Sequence, residues 1–258
     1  MKISKRTLHR VIFIAVVIAA WEIAYQRGVF PKLMFPSIGS IFSSLVKGFA
    51  SENLLSMVGY SLSLILRGLG LGILLAFLFS SLSILFETFG DIYSMLVSVF
   101  DLIPGVALIP LAIMWFGIGE EPIIFIVIHS VIWPMSRSII DGFRSVPKIY
   151  LESAANIGLT GADLVMQIYL PAAFTSLLSG LRTGWARAWR GLISAEMIFG
   201  TTSSGAGIGW FIFTKRVNVD IAGVFAALIV IIVIGMIVEY LVFGTIEKNT
   251  VKKWGTVK

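Results

Sequence analysis

Long uninterrupted apolar runs constrain the fold of this chain more than any other feature. The clearest run extends from Ile221 to Val238 and contains no charged residue. About 20 apolar residues in a helix are enough to cross the hydrocarbon core of a bilayer. Apolar residues make up 57% of the 258-residue chain and charged residues only 13%, against about 45–50% and about 25% in soluble domains. The composition excludes a soluble globular protein, a disordered chain and a nucleic-acid-binding domain, and we predict an all-α integral membrane protein.

Six apolar runs of this kind are present, and we predict one membrane-spanning helix for each. They lie at about residues 8–25, 60–86, 92–116, 122–140, 172–199 and 221–243 of a single transmembrane domain that covers residues 1–258. We expect Pro104, Pro110 and Pro134 to kink or interrupt these helices. The first run follows basic residues, as in a signal peptide, but no convincing small-residue cleavage site comes after it, so we predict an uncleaved first span.

The distribution of lysine and arginine predicts the orientation of these spans. Cytosolic segments of multi-pass membrane proteins are enriched in both residue types, and six spans place both termini on one side. With the termini inside, the cytosolic segments contain Lys2, Lys5, Arg6, Arg10, Arg137, Arg144, Lys148, Lys248, Lys252, Lys253 and Lys258, and the outer segments contain Arg27, Lys32, Lys47, Lys215 and Arg216. We therefore predict that both termini are cytosolic.

Several kinds of chemistry require residues that this sequence lacks. The chain has no cysteine, which removes disulfides, thiolate metal ligands and cysteine nucleophiles. It also has no His-Glu-x-x-His pair, no Gly-x-Ser-x-Gly segment and no Gly-x-x-x-x-Gly-Lys-Ser/Thr loop to bind ATP phosphates. We predict no enzymatic activity, no catalytic residue, no metal site and no cofactor in this chain.

The segment between the fourth and fifth predicted spans, residues 141–171, is patterned as two short helices. Lys148, Glu152 and Asn156 recur every four residues and form one polar face of the first helix. Small and apolar residues form the neighbouring face, and a capping-box-like pair, Thr160 and Asp163, is expected to begin the second helix. Such a hairpin can dock in a groove of a partner protein, and the alternative is a surface hairpin that packs on its own bundle.

The residues of this segment resemble the cytoplasmic EAA loop of ABC importer permeases. That pattern is Glu-Ala-Ala, three residues, Gly, nine residues, and Ile, any residue, Leu-Pro. Residues 152–158 read Glu-Ser-Ala-Ala-Asn-Ile-Gly and residues 168–171 read Ile-Tyr-Leu-Pro, at the same spacing, with Ser153 as the one departure. Residues 103–120, 180–189, 195–197 and 205–210 are similar to the nitrate, sulfonate and taurine branch. Asp101 differs from the residue that this branch often has before its Ile-Pro pair.

This resemblance implies a type I ABC importer permease fold with a cytosolic coupling helix. The chain would be a transmembrane subunit in the inner membrane of a bacterial or archaeal cell, and its partners would be a second permease subunit, expected to be a copy of this chain, a cytosolic ATPase dimer and an extracytoplasmic substrate-binding protein. ATP and Mg²⁺ would bind to the ATPase. The residues implied to couple the two subunits are Glu152, Ser153, Ala154, Ala155, Gly158, Leu170 and Pro171.

Charged residues inside predicted spans are energetically costly and need a partner or an aqueous path. We predict that Asp101, Arg182 and Glu196 line the translocation path of a small anionic solute of the sulfonate, taurine or nitrate type. The alternative is pairing between helices, in which arginines of the fifth span meet Asp101, Glu196 or Glu239. For the whole chain, the alternative function is an ion-coupled secondary transporter that uses Asp101, Arg182 and Glu196 as its relay.

Overall fold

A computed structural model describes residues 5–202 and 204–250 of the chain. All regular secondary structure in these residues is helical, apart from one isolated β-bridge between Thr202 and Gly205. The predicted all-α class is confirmed. Lys2, Lys252, Lys253 and Lys258, which were counted in the orientation argument, lie outside the described residues.

The described residues form thirteen α-helical segments, linked in three places by 3₁₀ or π turns. They are α1 (Lys5–Gln26), α2 (Ile38–Ser51), α3 (Leu54–Leu85), α4 (Glu87–Phe100), α5 (Ile109–Phe116), α6 (Glu121–Arg144), α7 (Lys148–Asn156), α8 (Gly161–Leu164), α9 (Leu170–Ala172), α10 (Phe174–Phe199), α11 (Ile208–Val217), α12 (Ile221–Ile237) and α13 (Gly244–Asn249). The turns are Gly105–Leu108, Val165–Tyr169 and Val238–Phe243.

Four stretches of helix are long and apolar enough to cross a membrane, namely Leu8–Gln26, Leu54–Leu85, Glu121–Arg144 and Ile221–Asn249. Two bent pairs raise the number to six if each pair is one span: α4 with the 105–116 helix, bent by 91°, and the 161–172 segment with α10, bent by 78°. The predicted third span is therefore broken in the middle. The break ends at Pro104, as expected of a residue that lacks a backbone N–H, whereas α6 continues through Pro134.

Helix α6 is the centre of the bundle and packs against both α3 and α10. Glycines make both contacts close. A Cβ atom added to Gly68 of α3 would lie 2.7 Å from Cβ of Val127, and one added to Gly180 of α10 would lie 2.6 Å from Cβ of Ser138. Helices in a membrane associate through such close packing, because lipid is as apolar as the side chains it replaces. The positions of these glycines thus determine where α3 and α10 approach α6 most closely.

A cluster of charged residues joins α11 to the α2–α3 turn and to the start of α12. Nζ of Lys215 lies 2.8 Å from Glu52 and 2.9 Å from Asp220, whose other oxygen caps α12 at the N–H of Gly223. Burial disfavours the charged form of each of the three groups, but the ion pairs among them favour it more strongly. The pKa values of Glu52 and Asp220 are held below their ordinary 4.5 and 3.8, and the pKa of Lys215 is raised above 10.5.

We expect Gly68→Ala to destabilise the permease because the added methyl group meets Val127. Overpacking a tight helix contact costs about 1–3 kcal/mol, so the detergent-solubilised protein should melt at a lower temperature. Gly70→Ala is the matched control, since a Cβ atom there has no neighbour within 4 Å. Equal melting temperatures for the two variants would contradict the close α3–α6 contact.

We expect Lys215→Met to lower the melting temperature between about pH 5 and pH 10, where all three groups of the cluster are charged. The carboxylates stabilise the fold above their ordinary pKa values and lose this effect as the pH falls through their lowered values. Lys215 contributes below pH 10.5 and loses its effect as the pH rises through its raised value. The difference from wild type should therefore shrink at both extremes. Arg27→Met, at an exposed residue without an ion pair in the described chain, should show no such profile.

Candidate functional site

The segment that resembles the EAA loop folds as the short helix α7 followed by α8. Pro147 precedes α7 with extended backbone angles, and Gly158 ends the helix with a φ of +77°. The N–H of Leu159 returns to the carbonyl of Ala154 at 3.0 Å, which closes the last turn. Thr160 lies at the N-terminus of α8, but its side chain makes no capping hydrogen bond. The expected capping box is therefore absent.

The polar face of α7 is free of internal ion pairs. Glu152 is exposed and has no basic group within 4.0 Å among the described residues, Lys148 on the same face included. Ser153 donates to the carbonyl of Ile149 at 2.8 Å. Ala154 is buried against the chain itself, whereas Ala155 and Gly158 are exposed. The carboxylate of Glu152 is thus available to a partner.

Large apolar side chains, rather than the small ones, dominate the exposed surface of this loop. Ile149, Tyr150 and Ile157 are 64%, 53% and 75% exposed, and they lie in a segment that the sequence places outside the membrane. Apolar groups exposed together to water mark an interaction surface. Sequence reasoning missed these three residues, although apolar residues within a polar loop were a usable signal. We call Ile149, Tyr150, Glu152 and Ile157 the α7 surface.

Leu170 and Pro171 lie in α9, at the joint between the loop and α10. Leu170 is partly buried against the core, and Pro171 is exposed. The chain bends by 78° between the 161–172 segment and α10. Leu170 and Pro171 thus lie where the loop joins α10.

A cavity of about 320 Å³ lies where α4 breaks and approaches α6 and α10. Asp101 follows the last residue of α4 and bonds through Oδ1 to Nη1 of Arg187, while its Oδ2 lies 3.4 Å from Nε of Arg137. The polar residues that line the cavity are Asp101, His129, Ser130, Arg187, Arg190 and Ser194, with Trp133 beside them. We call it the α4–α10 cavity.

Positive charge exceeds negative charge around the α4–α10 cavity. Two arginines, Arg187 and Arg190, line the cavity with one carboxylate, Asp101, and Arg190 has no acidic group within 4.0 Å in the described part of the chain. His129 is only 8% exposed, yet neither ring nitrogen has a hydrogen-bond partner among the described residues, and the same holds for Nε1 of Trp133. Buried polar groups are normally paired. These unpaired groups and the charge excess suit an anionic ligand.

Helices α4 and α6 also form a polar face, which is joined to the cavity by the contact between Asp101 and Arg137. Ser94, Arg137 and Arg144 lie along it, and Nη2 of Arg144 is 3.3 Å from Oγ of Ser94. Two smaller cavities of about 80 and 280 Å³ follow one another here. Arg137 and Arg144 are exposed although they belong to a helix long enough to span the membrane. Because hydrocarbon does not accommodate such charges, this face must meet water or another protein.

Arg182 lies at a different site, against the C-terminal helices. Its Nη2 is 2.6 Å from Glu247, its Nε is 3.6 Å from Glu239, and its guanidinium lies over the ring of Phe243. Arg182 therefore ties α10 to the segment 238–249. The sequence left open whether Arg182 lines the translocation path or pairs with a carboxylate of another helix, and this arrangement corresponds to the pairing.

Glu196 lies in a third, fully buried site. It is 1% exposed and accepts hydrogen bonds from Oγ of Ser61 at 2.7 and 2.9 Å and from the N–H of Gly209 at 2.9 Å. Ser61 in turn accepts from the N–H of Ile208 at 2.9 Å. A Cβ atom at Gly207 or Gly209 would collide with Glu196, which explains why glycines surround this position. The carboxylate locks the start of α11 onto α3 and α10.

The structure thus separates the three residues predicted for the path. Asp101 lines the α4–α10 cavity, whereas Arg182 and Glu196 do not. Arg187 and Arg190, arginines of the fifth span that the sequence offered as partners for carboxylates of other helices, line it together with His129. The described residues contain no group of three His, Asp or Glu side chains able to hold a metal ion.

We expect Glu196→Ala to reduce the stability of the permease severely and Glu196→Gln to reduce it little. Alanine leaves the Ser61 hydroxyl and the Gly209 N–H unpaired in a dry site, at a cost of about 1–3 kcal/mol for each group. Glutamine can accept from Gly209 while its amide donates to Ser61, whose hydroxyl can rotate. Thermal unfolding in detergent measures both, and equal losses would contradict a hydrogen-bonding role.

Comparison with known proteins places these features in a family. The model of the binding-protein-dependent transport system inner membrane component family matches residues 68–244. A putative ABC transporter permease of Methanocaldococcus jannaschii is 32% identical over 60% of this chain, which covers 57% of that relative. The taurine transport system permease of Escherichia coli is 25% identical over an alignment that covers 88% of this chain and 82% of that relative. A putative aliphatic sulfonates transport permease of Bacillus subtilis is 27% identical over 93% of this chain and 85% of that relative.

The matched region contains the α7 surface, the α4–α10 cavity and the helices that hold them together. The apolar helices and the family match together describe a multi-pass membrane protein. The chain belongs to the binding-protein-dependent ABC transporter permease family.

Proposed function

We propose that this chain forms the translocation path of an ATP-driven importer for a small anionic solute with a sulfonate group. The observation that carries this proposal is the α4–α10 cavity, which is lined by Arg187 and Arg190 and by one carboxylate, Asp101. That carboxylate is already shared between Arg187 and Arg137 of α6. A sulfonate is ionised at neutral pH and offers three acceptor oxygens, which suit the forked donors of arginine. The taurine and aliphatic sulfonate permeases among the relatives support the same substrate class.

The path follows the polar face of α4 and α6. Exposed Arg137 and Arg144 lie on this face, and a second permease subunit, proposed to be a copy of this chain, would provide the opposite wall. Both termini would be cytosolic, which places the α7 surface inside the cell and the cluster around Lys215 outside. A substrate-binding protein would deliver the solute to the outer side.

Energy would enter through the α7 surface. The proposed partner is a cytosolic ATPase dimer, which binds ATP and Mg²⁺, while Glu152 pairs with a basic group and Ile157 fills an apolar depression of that partner. Ser153, Ala155 and Gly158 allow close approach, and buried Ala154 fastens the helix to its own chain. Closure of the ATPase would move the loop, and Leu170 and Pro171 would pass the motion to α10. Because α10 also holds Arg187 and Arg190, the motion would reach the cavity.

We expect Glu152→Lys to abolish uptake while the permease still folds and inserts. The test uses proteoliposomes with permease, ATPase and binding protein, and it measures ATP-dependent accumulation of radiolabelled taurine and ethanesulfonate. Reversal of the charge should lower uptake at least tenfold, because one lost charge-assisted interaction weakens docking by about that factor.

Asp163→Lys is the matched control, since Asp163 is an exposed acidic residue of the same loop but lies outside the α7 surface. It should retain uptake. Normal uptake by Glu152→Lys would contradict the coupling role. Uptake that persists without the ATPase would instead favour an ion-coupled secondary transporter.

A further inference from the structure

We propose that the α4–α10 cavity is a transit site for the anionic group of the solute and that Asp101 is its internal competitor. Without solute, the Asp101 carboxylate occupies Arg187. When the anion arrives it takes Arg187, and Asp101 moves fully onto Arg137. The inference rests on the proposed function and adds to it a binding site, a class of ligand and a residue that controls release.

The geometry of Asp101 fits an exchange between two partners. One carboxylate oxygen bonds to Arg187 of α10, and the other lies 3.4 Å from Nε of Arg137 of α6. The side chain of Asp101 is only 12% exposed, whereas those of Arg187 and Arg137 are 40% and 46% exposed. Asp101 stands at the end of α4, beside the 91° break. A change in its side-chain rotamer is enough to shorten one contact and lengthen the other.

Groups without a partner complete the site for the anion. Arg190 has no ion pair in the described chain, and His129 and Trp133 have buried ring nitrogens without a hydrogen bond. Arg187 would become the fourth donor once Asp101 leaves it. A sulfonate has enough acceptor oxygens for these donors. The side chains of Phe100 and Trp133, stacked with centroids 5.0 Å apart, provide an apolar wall for its carbon chain.

A competing carboxylate solves the problem of release. A site on a transport path must bind its solute strongly enough to take it up and weakly enough to let it go. Arg187 and Arg190 without a counter-charge would hold an anion too strongly. Asp101 returns to Arg187 as the anion leaves, so that this arginine regains its counter-charge.

The exchange also changes which helices are connected. With Asp101 on Arg187, an ion pair joins the end of α4 to α10, and with Asp101 on Arg137 alone, it joins α4 to α6. An anion that binds better to the second arrangement shifts the protein toward it. Occupancy of the cavity would thus loosen α10, the helix through which the α7 surface acts.

The test measures binding of radiolabelled ethanesulfonate to the permease–ATPase complex in nanodiscs, without binding protein. Ethanesulfonate has no ammonium group that could pair with Asp101. We expect Asp101→Asn to tighten binding about tenfold, the weight of one charge-assisted contact, and to slow release. Arg137→Gln should weaken binding, because Asp101 then has Arg187 as its one remaining partner and competes with the anion for it.

The double variant separates exchange from simple electrostatics. If Arg137 acts through Asp101, the double variant Asp101→Asn with Arg137→Gln should bind as tightly as Asp101→Asn alone. If the two charges act independently, their effects should add. Asp101→Glu should retain a measurable competitor and bind more weakly than Asp101→Asn.

Glu120→Gln is the matched control, because it also removes a carboxylate paired with an arginine. Glu120 lies 2.7 Å from Arg67, outside the cavity, and hydrogen bonds from Arg67, Ser204 and Tyr60 overcome burial to keep its pKa below the ordinary value. Its replacement should leave binding unchanged. Weaker or unchanged binding by Asp101→Asn, or additive effects in the double variant, would overturn the proposal.

Uptake by the wild-type protein distinguishes a failure of the proposed exchange from a failure of the proposed importer function. With binding protein and ATP present, Asp101→Asn should lower both the KM and the kcat of ethanesulfonate uptake, since a tighter site fills sooner and empties later. Wild-type proteoliposomes that accumulate no sulfonate would refute the importer. Wild-type uptake together with failure of the binding series would refute the exchange alone.

Discussion

The close packing of α6 against α3 and α10 is the contact on which the rest of the structure depends. Gly68 and Gly180 allow the backbones to approach so closely that a methyl group has no room. Arg137 and Arg144 lie on the part of α6 that faces α4, and both side chains remain exposed. A buried seam and a polar open face on one helix therefore arise from the same arrangement.

Charge inside the bundle is distributed among separate sites with separate roles. Glu196 is fully enclosed and fastens α11, Arg182 joins α10 to the C-terminal helices, and Asp101 stands at a cavity with more arginines than carboxylates. In a medium of low dielectric, an isolated charge is costly and a paired one is tolerated. At the cavity, the ring nitrogens of His129 and Trp133 lack partners beside an arginine without an ion pair, which is why we place ligand binding there.

Helix α10 connects the two candidate functional regions. Its N-terminal end follows the loop that bears the α7 surface, and its middle contributes Arg187 and Arg190 to the α4–α10 cavity. Work done on the loop and occupancy of the cavity would thus act on the same rigid element. No long relay through the protein is required by this arrangement.

The sequence by itself determined the membrane class, the approximate spans and the loop that resembles a coupling segment. Apolar run length and motif spacing are local properties, and they survive without knowledge of the fold. The loop's exposed apolar residues, Ile149 and Ile157, were missed because periodicity within a short helix does not reveal which face the bundle covers.

Only the tertiary structure decided which charges meet. Arg187 and Asp101 are 86 residues apart in the chain, and Ser61 and Glu196 are 135 apart. Helical periodicity assigns a residue to a face of its own helix but does not say which helix lies opposite. Arg182, Glu196 and Asp101 therefore looked equivalent in the sequence, and packing alone separated two interhelical contacts from one residue at a cavity.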